Sequence, residues 1–387
     1  MTYTTDNKEP KKIVLIIGNG FDLDLGLKTL YKDFWESEFC PRDYPAPIID
    51  HLNKKWPDDR DGVNWYDLEN ELFNYYHKIK GKRVIPDIFT EIERRCLLNA
   101  DMPMLESGYF PQYGEAVASL IEKGAIKVYS GSHYYLSISN KEDLKYNALF
   151  RDKKALRLIK KGLCEYLSNL KYDTVGNSIS YYILYALIRS KEEGDFCNIY
   201  SFNYTPLPSP YNNSLKEDLQ YVHGNLEDKT IIIGTQDNIE YDENYDFLQK
   251  SFDPEYNPPM ILPNLLNADE VIIFGHSLGV NDRQYFKNFF MQQTSTQEFN
   301  RKKITIFTYN DVSETNIKRS IQWMTGGNLS TFYSMNDVKI IKTSFIKRMN
   351  RDTIAFEDFL KDHLQDPLDV KTQMQQVLSN SDPIPHK

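Results

Sequence analysis

Ile13-Val14-Leu15-Ile16-Ile17-Gly18-Asn19-Gly20-Phe21-Asp22 is the stretch that decides the fold. Five consecutive apolar residues, four of them β-branched, predict a strand buried on both faces, as in a parallel sheet. The run is too short for a secretory h-region and has no small-residue cleavage site after it. It stops on glycine, where the backbone can approach a ligand closely and a following helix can offer N–H groups to an anion. Gly18-Asn19-Gly20 is not the dinucleotide fingerprint, because the next glycine, Gly26, comes too late; nor is it a P-loop, because no Gly-Lys-Ser/Thr follows. Asp22-Leu23-Asp24 has the form of a magnesium-binding acid pair, but the strand tip is Gly18 rather than Asp22, which disfavours that reading.

Similar runs return late in the chain, at 198–202, at 221–222 before His223, at 231–233 before Gly234 and at 271–274 before Gly275; Lys303–Thr308 and 338–342 complete the series. Helical patterns at 245–252, 282–293 and 316–324 alternate with them, which predicts an α/β layered fold. Between 45 and 190 strand signals nearly vanish. Helical patterns at 67–80, 84–99, 113–121, 154–170 and 178–188 dominate there, with one Tyr- and Ser-rich hairpin candidate at 125–136. The expected division is 1–44 as the first strand and phosphate loop of the α/β domain, 45–195 as a helical insertion, 196–350 as the rest of that domain, and 351–387 as a C-terminal helix and tail. Helical spacing at Ile354, Phe356, Phe359 and Leu360 predicts that helix, with fraying from Ser379 onward.

Composition narrows the class. The 387 residues are 41% hydrophobic and 26% charged, with net charge −9. No apolar run approaches the ~20 residues of a spanning helix. Cys40, Cys96, Cys164 and Cys197 form no Cys-x-x-Cys pair, so neither a zinc site nor a disulfide framework is expected, and no metal is predicted. A cytoplasmic, membrane-free protein is the expectation. Acidic balance argues against a surface that coats nucleic acid broadly. Against that background Arg151, Lys153, Lys154, Arg157, Lys160 and Lys161 crowd one helix, either as a solvated face or as a local dock for nucleic acid.

Three late strand ends carry candidate chemistry, since ligands of doubly wound sheets sit outside the carboxyl ends of the strands. Asn203 follows the first and has donor and acceptor groups to hold a water or ribose hydroxyl. His223 ends the second, a general-base candidate with Gly224 clearing space beside it. Gly275-His276-Ser277-Leu278-Gly279 ends the third, with Asn281-Asp282 expected to cap the next helix. That stretch also matches Gly-x-Ser-x-Gly, so a serine hydrolase using Ser277, Asp282 or Asp311, and His363 is the competing enzyme class. Against it, the cap comes four or five residues after the serine, and His363 sits in a charged stretch that reads as solvated. Lys28 and Thr29, after the Gly26 bend, are candidates to complete a phosphate or ribose pocket.

Taken in order, 16–22, Gly26-Leu-Lys-Thr-x-Tyr-x-Asp-Phe34, Ser201-Phe-Asn-Tyr-Thr205, Val222-His-Gly224 and Phe274-Gly-His-Ser-Leu-Gly-x-Asn-Asp282 resemble the bacteriophage abortive-infection AbiH family, as does the Trp-x-Asp-x-Glu pattern at 65–69. The likeness runs from Ile13 to about Phe286. More remotely the same order is similar to sirtuin-like NAD-binding proteins, which implies a Rossmann-like, mainly parallel sheet with a large helical insertion. Carried over, that resemblance implies an NAD or other nucleotide site. Gly18 and Gly20 would contact phosphate, with Asn19, Phe21 and Asp22 in the same loop, and Asn203 and His223 would sit at the reacting ribose; Lys28 and Thr29, candidates for the same pocket, replace the family's Pro region. Gly275, His276, Ser277 and Asp282 would hold the adenosine end. Thr205 stands where the sirtuin-like pattern has Asp, and no zinc-binding cysteine quartet exists. The implied functions are an antiphage NAD glycohydrolase with His223 as general base, or a non-catalytic nucleotide sensor answering a phage-derived trigger. A homo-oligomer is compatible with either.

Overall fold

The computed structural model describes residues 9–55, 67–79, 126–130, 134–138, 148–172, 178–237, 241, 244–296, 300–346 and 350–379. Six strands form one parallel sheet: β1 (Lys12–Ile17), β4 (Phe196–Ser201), β5 (Leu219–Tyr221), β6 (Glu270–Phe274), β7 (Lys303–Thr308) and β8 (Asp337–Lys342). Their spatial order is β5-β4-β1-β6-β7-β8. Counted along the sheet strands alone, this is 3-2-1-4-5-6, the doubly wound Rossmann order, whose direction reverses beside the first strand. β1 is hydrogen-bonded on both sides, with Ile16 level with Tyr200 of β4 and Ile273 of β6. A separate antiparallel hairpin joins β2 (Ile126–Ser130) to β3 (Tyr134–Ile138), where the sequence predicts one.

The unbroken apolar run of β1 follows from its central place. Ile13, Leu15 and Ile17 face a core completed by helices Ile179–Glu192, Arg351–His363 and Pro367–Ser379. Val14 and Ile16 face the opposite core, built with helices Ile261–Asn267, Arg283–Gln292 and Asp311–Met324. Alternate side chains of a strand point to opposite faces, so covering both faces demands apolar residues at every position. Each fully buried aliphatic side chain contributes about 1.5–3 kcal/mol. Among the described residues no helix is long and apolar enough to cross a membrane.

A third core lies in the helical block. Helices Pro47–Lys55, Leu68–Ile79 and Ala148–Ser168 bury Ile48, Leu52, Leu72, Tyr76, Ile159 and Leu163 together. Asp152 ties the three: one carboxylate oxygen accepts the Ile48 N–H at 2.9 Å, and the other accepts the Tyr75 hydroxyl at 2.5 Å. Burial pushes the Asp152 carboxyl up to about 6, against the opposing effect of the Tyr75 bond. The helix expected at 178–188 packs against the sheet, where Asp24 accepts the Ser180 N–H at 2.7 Å and its hydroxyl at 2.6 Å.

Three sequence expectations change. The 231–233 run is buried but joins no strand of the sheet; Ile231 and Ile233 pack into the helical block. Burial against helices and burial within a sheet leave the same short apolar signature. The pattern at 245–252 resolves into two 3-10 turns, Asp246–Leu248 and Lys250–Phe252. His363 is not solvated: its Nδ1 lies 2.8 Å from the Phe359 carbonyl, its side chain is fully buried, and its Nε2 is 3.4 Å from Glu270. The helices expected at 84–99 and 113–121, and the tail after Ser379, lie outside the described residues.

Replacing Asp152 with alanine strands two buried donors, each costing about 1–3 kcal/mol. Asp152→Ala is therefore expected to lower stability by roughly 2–5 kcal/mol in urea unfolding; a loss under 1 kcal/mol would show that the three helices are held by apolar packing alone.

Candidate functional site

The loops after β1, β4 and β6 and the residues after β5 meet at the carboxyl end of the sheet and line an open cleft. The helical block supplies another part of its wall, through Asp67, Glu69, Leu163 and Leu167. Lys250, from the second 3-10 turn, closes the floor at 1% exposure.

The glycines after β1 are required by the packing of two loops. Gly18 N–H donates to the Phe274 carbonyl and Gly20 N–H to the Gly275 carbonyl, each at 2.9 Å. A Cβ on Gly18 would lie 2.5 Å from His276 Cα, and one on Gly20 would lie 2.7 Å from Gly275 Cα. Gly275 itself has φ +63°, and its Cβ would meet the Phe21 amide nitrogen at 2.4 Å. The two loops thus touch backbone to backbone, and the Gly18 and Gly20 amides are already used.

Other expected residues have separate duties. Asn19 accepts the Thr29 hydroxyl at 2.6 Å, and both line the cleft. Phe21 is buried edge-on against Phe274, ring centroids 5.4 Å apart. Asp22 accepts the Thr205 hydroxyl at 2.6 Å, while Asp24 is committed to Ser180, so the two carboxylates serve different partners. Asn203 donates its side-chain amide to the Gly18 carbonyl at 3.0 Å, locking the β4 and β1 loops. Lys28 is exposed and outside the cleft lining; its carbonyl accepts the Tyr166 hydroxyl at 2.8 Å.

Asp282 organises the centre. It occupies the N-cap position of helix Arg283–Gln292 yet makes no side-chain capping bond, contrary to the sequence expectation. Its carboxylate turns inward instead: Oδ1 lies 2.9 Å from His223 Nε2 and 3.2 Å from Lys250 Nζ, and Oδ2 lies 3.3 Å from His276 Nε2. Lys250 Nζ is also 3.1 Å from Glu69 Oε1 and 3.2 Å from His223 Nε2. Burial alone would raise the Asp282 carboxyl, but Lys250 and His223 outweigh it and hold it well below the usual carboxylate range. Burial raises Glu69 to about 7 despite Lys250.

Those contacts set the histidine tautomers. His276 Nδ1 accepts the Leu278 N–H at 3.0 Å, so its proton sits on Nε2, toward Asp282. Burial, and next the charge of Lys250, push His223 down to about 4, so its ring is neutral at pH 7. Since ionised Asp282 only accepts, the neutral His223 ring donates its Nε2 proton to it. Nδ1 is left as a buried lone pair with no hydrogen-bond partner among the described residues. Phe202 packs against both imidazoles, at centroid distances of 5.3 Å to His223 and 4.3 Å to His276.

The expected serine-hydrolase triad does not assemble among the described residues. Ser277 lies exposed at the cleft, but the following helix starts only at Arg283, and both nitrogens of neighbouring His276 are engaged. His363 contacts Glu270, the first residue of β6, at the opposite end of the strand. Asp311 pairs with Lys342 at 2.8 Å. On the basic helix, Lys160 pairs with Asp253 and Lys161 with Glu165, while Lys153 and Lys154 lie over Phe247 and Tyr44.

Lys250 escaped the reading of the sequence. It stands in the polar stretch Gln249-Lys250-Ser251, which carries no local sign of a buried ion pair. Asp67 and Glu69 carry the 65–69 pattern, of which Trp65 lies outside the described residues.

Burial pushes the Asp22 carboxyl up to about 7, with Thr205 and Asn203 opposing. Between pH 4 and 7 the folded state then binds more protons than the unfolded chain, so this group's contribution to stability is lost as pH rises. Asp22→Asn removes that dependence, and its melting temperature relative to the native protein is expected to rise from pH 5 to pH 8; a constant difference would mean that Asp22 is already ionised at pH 5.

Neither the curated proteins nor the solved structures give a match. A family model does: residues 14–307, well over half of the chain, match the one described as bacteriophage abortive infection AbiH. With the loops of that span forming the cleft, the chain belongs to the bacteriophage abortive-infection AbiH family.

Proposed function

We propose that this antiphage abortive-infection protein binds a nucleotide, NAD, in the cleft and hydrolyses its nicotinamide–ribose bond with His223 as general base. The observation that carries the reading is the unpartnered Nδ1 of a neutral, buried histidine whose other nitrogen is fixed by a carboxylate. Perturbed, oriented titratable groups of this kind cluster at functional sites. The location supports it as well, since the cleft lies where the direction of strand order reverses, the usual ligand crevice of doubly wound sheets.

Cleavage of the C1′–N bond releases neutral nicotinamide and leaves oxocarbenium character on the ribose. Water adds its oxygen to C1′, and the proton it sheds passes to His223 Nδ1. A base of low pKa suffices, because water bonding to a cationic carbon becomes strongly acidic. Asp282 stabilises the resulting imidazolium through its Nε2 proton, as the buried carboxylate of a catalytic triad does. Asn203 fixes the loop beneath the reacting ribose, and the adenosine end lies toward Gly275, His276 and Ser277.

Purified protein is incubated with NAD, alone and with lysate from phage-infected cells, and nicotinamide release is followed. His223→Ala is expected to lower release about 10²–10⁴-fold while the melting temperature shows a folded protein. Unchanged release in that variant removes His223 from the chemistry. A thermal shift by NAD without release under either condition establishes a nucleotide sensor instead.

A further inference from the structure

Lys250 sits where a salt bridge alone would not require it. Its ammonium contacts Asp282 and Glu69, which would neutralise it, yet it is also 3.2 Å from His223 Nε2. Two cations cannot share one buried oxygen cheaply: like charges a few ångströms apart repel strongly where water is excluded. Asp282 Oδ1 is that oxygen, 2.9 Å from His223 Nε2 and 3.2 Å from Lys250 Nζ.

We infer that Lys250 is a positioning residue for the proposed reaction: by occupying Asp282 Oδ1 beside the imidazole, it keeps His223 from taking a second proton, while Asp282 holds the first on Nε2, so that Nδ1 is reserved as the base. This inference rests on the glycohydrolase reading for its purpose, but the state it assigns to His223 is a property of the unliganded protein.

Among the described residues, the groups that face His223 come from several elements. Asp282 and His276 face it from the β6 loop, Lys250 from the 3-10 turn, and Tyr285 from helix Arg283–Gln292, at a centroid distance of 6.1 Å. Phe202 adds an apolar wall. Glu69 acts from the helical block through Lys250, and Asp67 lies behind it in the same cleft. Asp282 pulls a second proton onto the imidazole; burial and Lys250 oppose it. Without Lys250 the balance tips. The ring would hold both protons, Nδ1 would become a donor, and the lone pair that accepts a proton from water would be gone.

Imidazole ¹⁵N NMR separates this role from simple structural support. The full-length protein is labelled at histidine, and His223→Gln identifies the signal. At pH 6 the native protein is expected to show a neutral His223 protonated at Nε2. Lys250→Met is expected to show an imidazolium at the same pH, its midpoint raised by more than about two pH units, and Lys250→Arg is expected to restore the neutral ring. If Lys250→Met does not fold, Lys250→Met/Glu69→Gln, which removes the uncompensated carboxylate as well, is read in its place with the same expectation. A neutral Nε2–H ring retained in the folded variant overturns the inference, as does an imidazolium in the native protein. Neither outcome depends on whether NAD is cleaved, so failure here and failure of the glycohydrolase reading are told apart.

Discussion

Everything at the carboxyl end of the sheet depends on where the Asp282 carboxylate points. At an N-cap it could have accepted a backbone N–H of the next helix, worth about 1 kcal/mol. Instead it serves two imidazoles and an ammonium. A buried carboxylate is tolerable only when paired and hydrogen-bonded, and here two partners arrive from remote parts of the chain, His223 after β5 and Lys250 from the 3-10 turn, while His276 comes from its own loop. Forgoing the cap is the local cost of holding a histidine in a single tautomer.

The backbone contact between the β1 and β6 loops makes that convergence possible. Gly18, Gly20 and Gly275 let the loops approach to distances that a Cβ would forbid, and Asn203 staples a third loop to the carbonyl of Gly18. These glycines therefore position the cleft walls. The helical block completes the site through Glu69 and Asp67, so residues far apart in sequence must dock before the charges are neutralised. Long-range closure of this kind is slow and entropically costly, and the Asp152 node spanning three helices gives the block the rigidity to present Glu69 to Lys250.

Much of the fold was legible because β1 leaves little choice: an unbroken β-branched run that ends in Gly-Asn-Gly reads as a doubly covered central strand. Late strands ending at Asn203, His223 and Gly275 followed from the same signature, and their order carried the family likeness. Periodicity failed where burial had a different cause. Ile231 and Ile233 are as apolar as a strand but face helices, and His363 looked solvated because its neighbours Lys361 and Asp362 are, while its own side of the helix is not. Lys250 was illegible for a deeper reason: a buried ion pair is a property of two distant positions, and one sequence shows no pairing. Asp282 was singled out, as a helix cap, as a triad acid beside Ser277 and as part of the adenosine end, but not as the partner of His223 and Lys250, since those contacts join distant positions.

The proposed function requires this cleft to receive NAD with its nicotinamide ribose beside His223. A crystal structure of the protein with a carbocyclic NAD analogue, whose nicotinamide bond cannot be hydrolysed, tests it most directly. The account predicts the analogue between the β1 and β6 loops, with the ribose-equivalent ring within hydrogen-bond reach, about 3 Å, of His223 Nδ1 or of a water bound there. An analogue bound elsewhere, or in the cleft with its nicotinamide end turned away from His223, would contradict it.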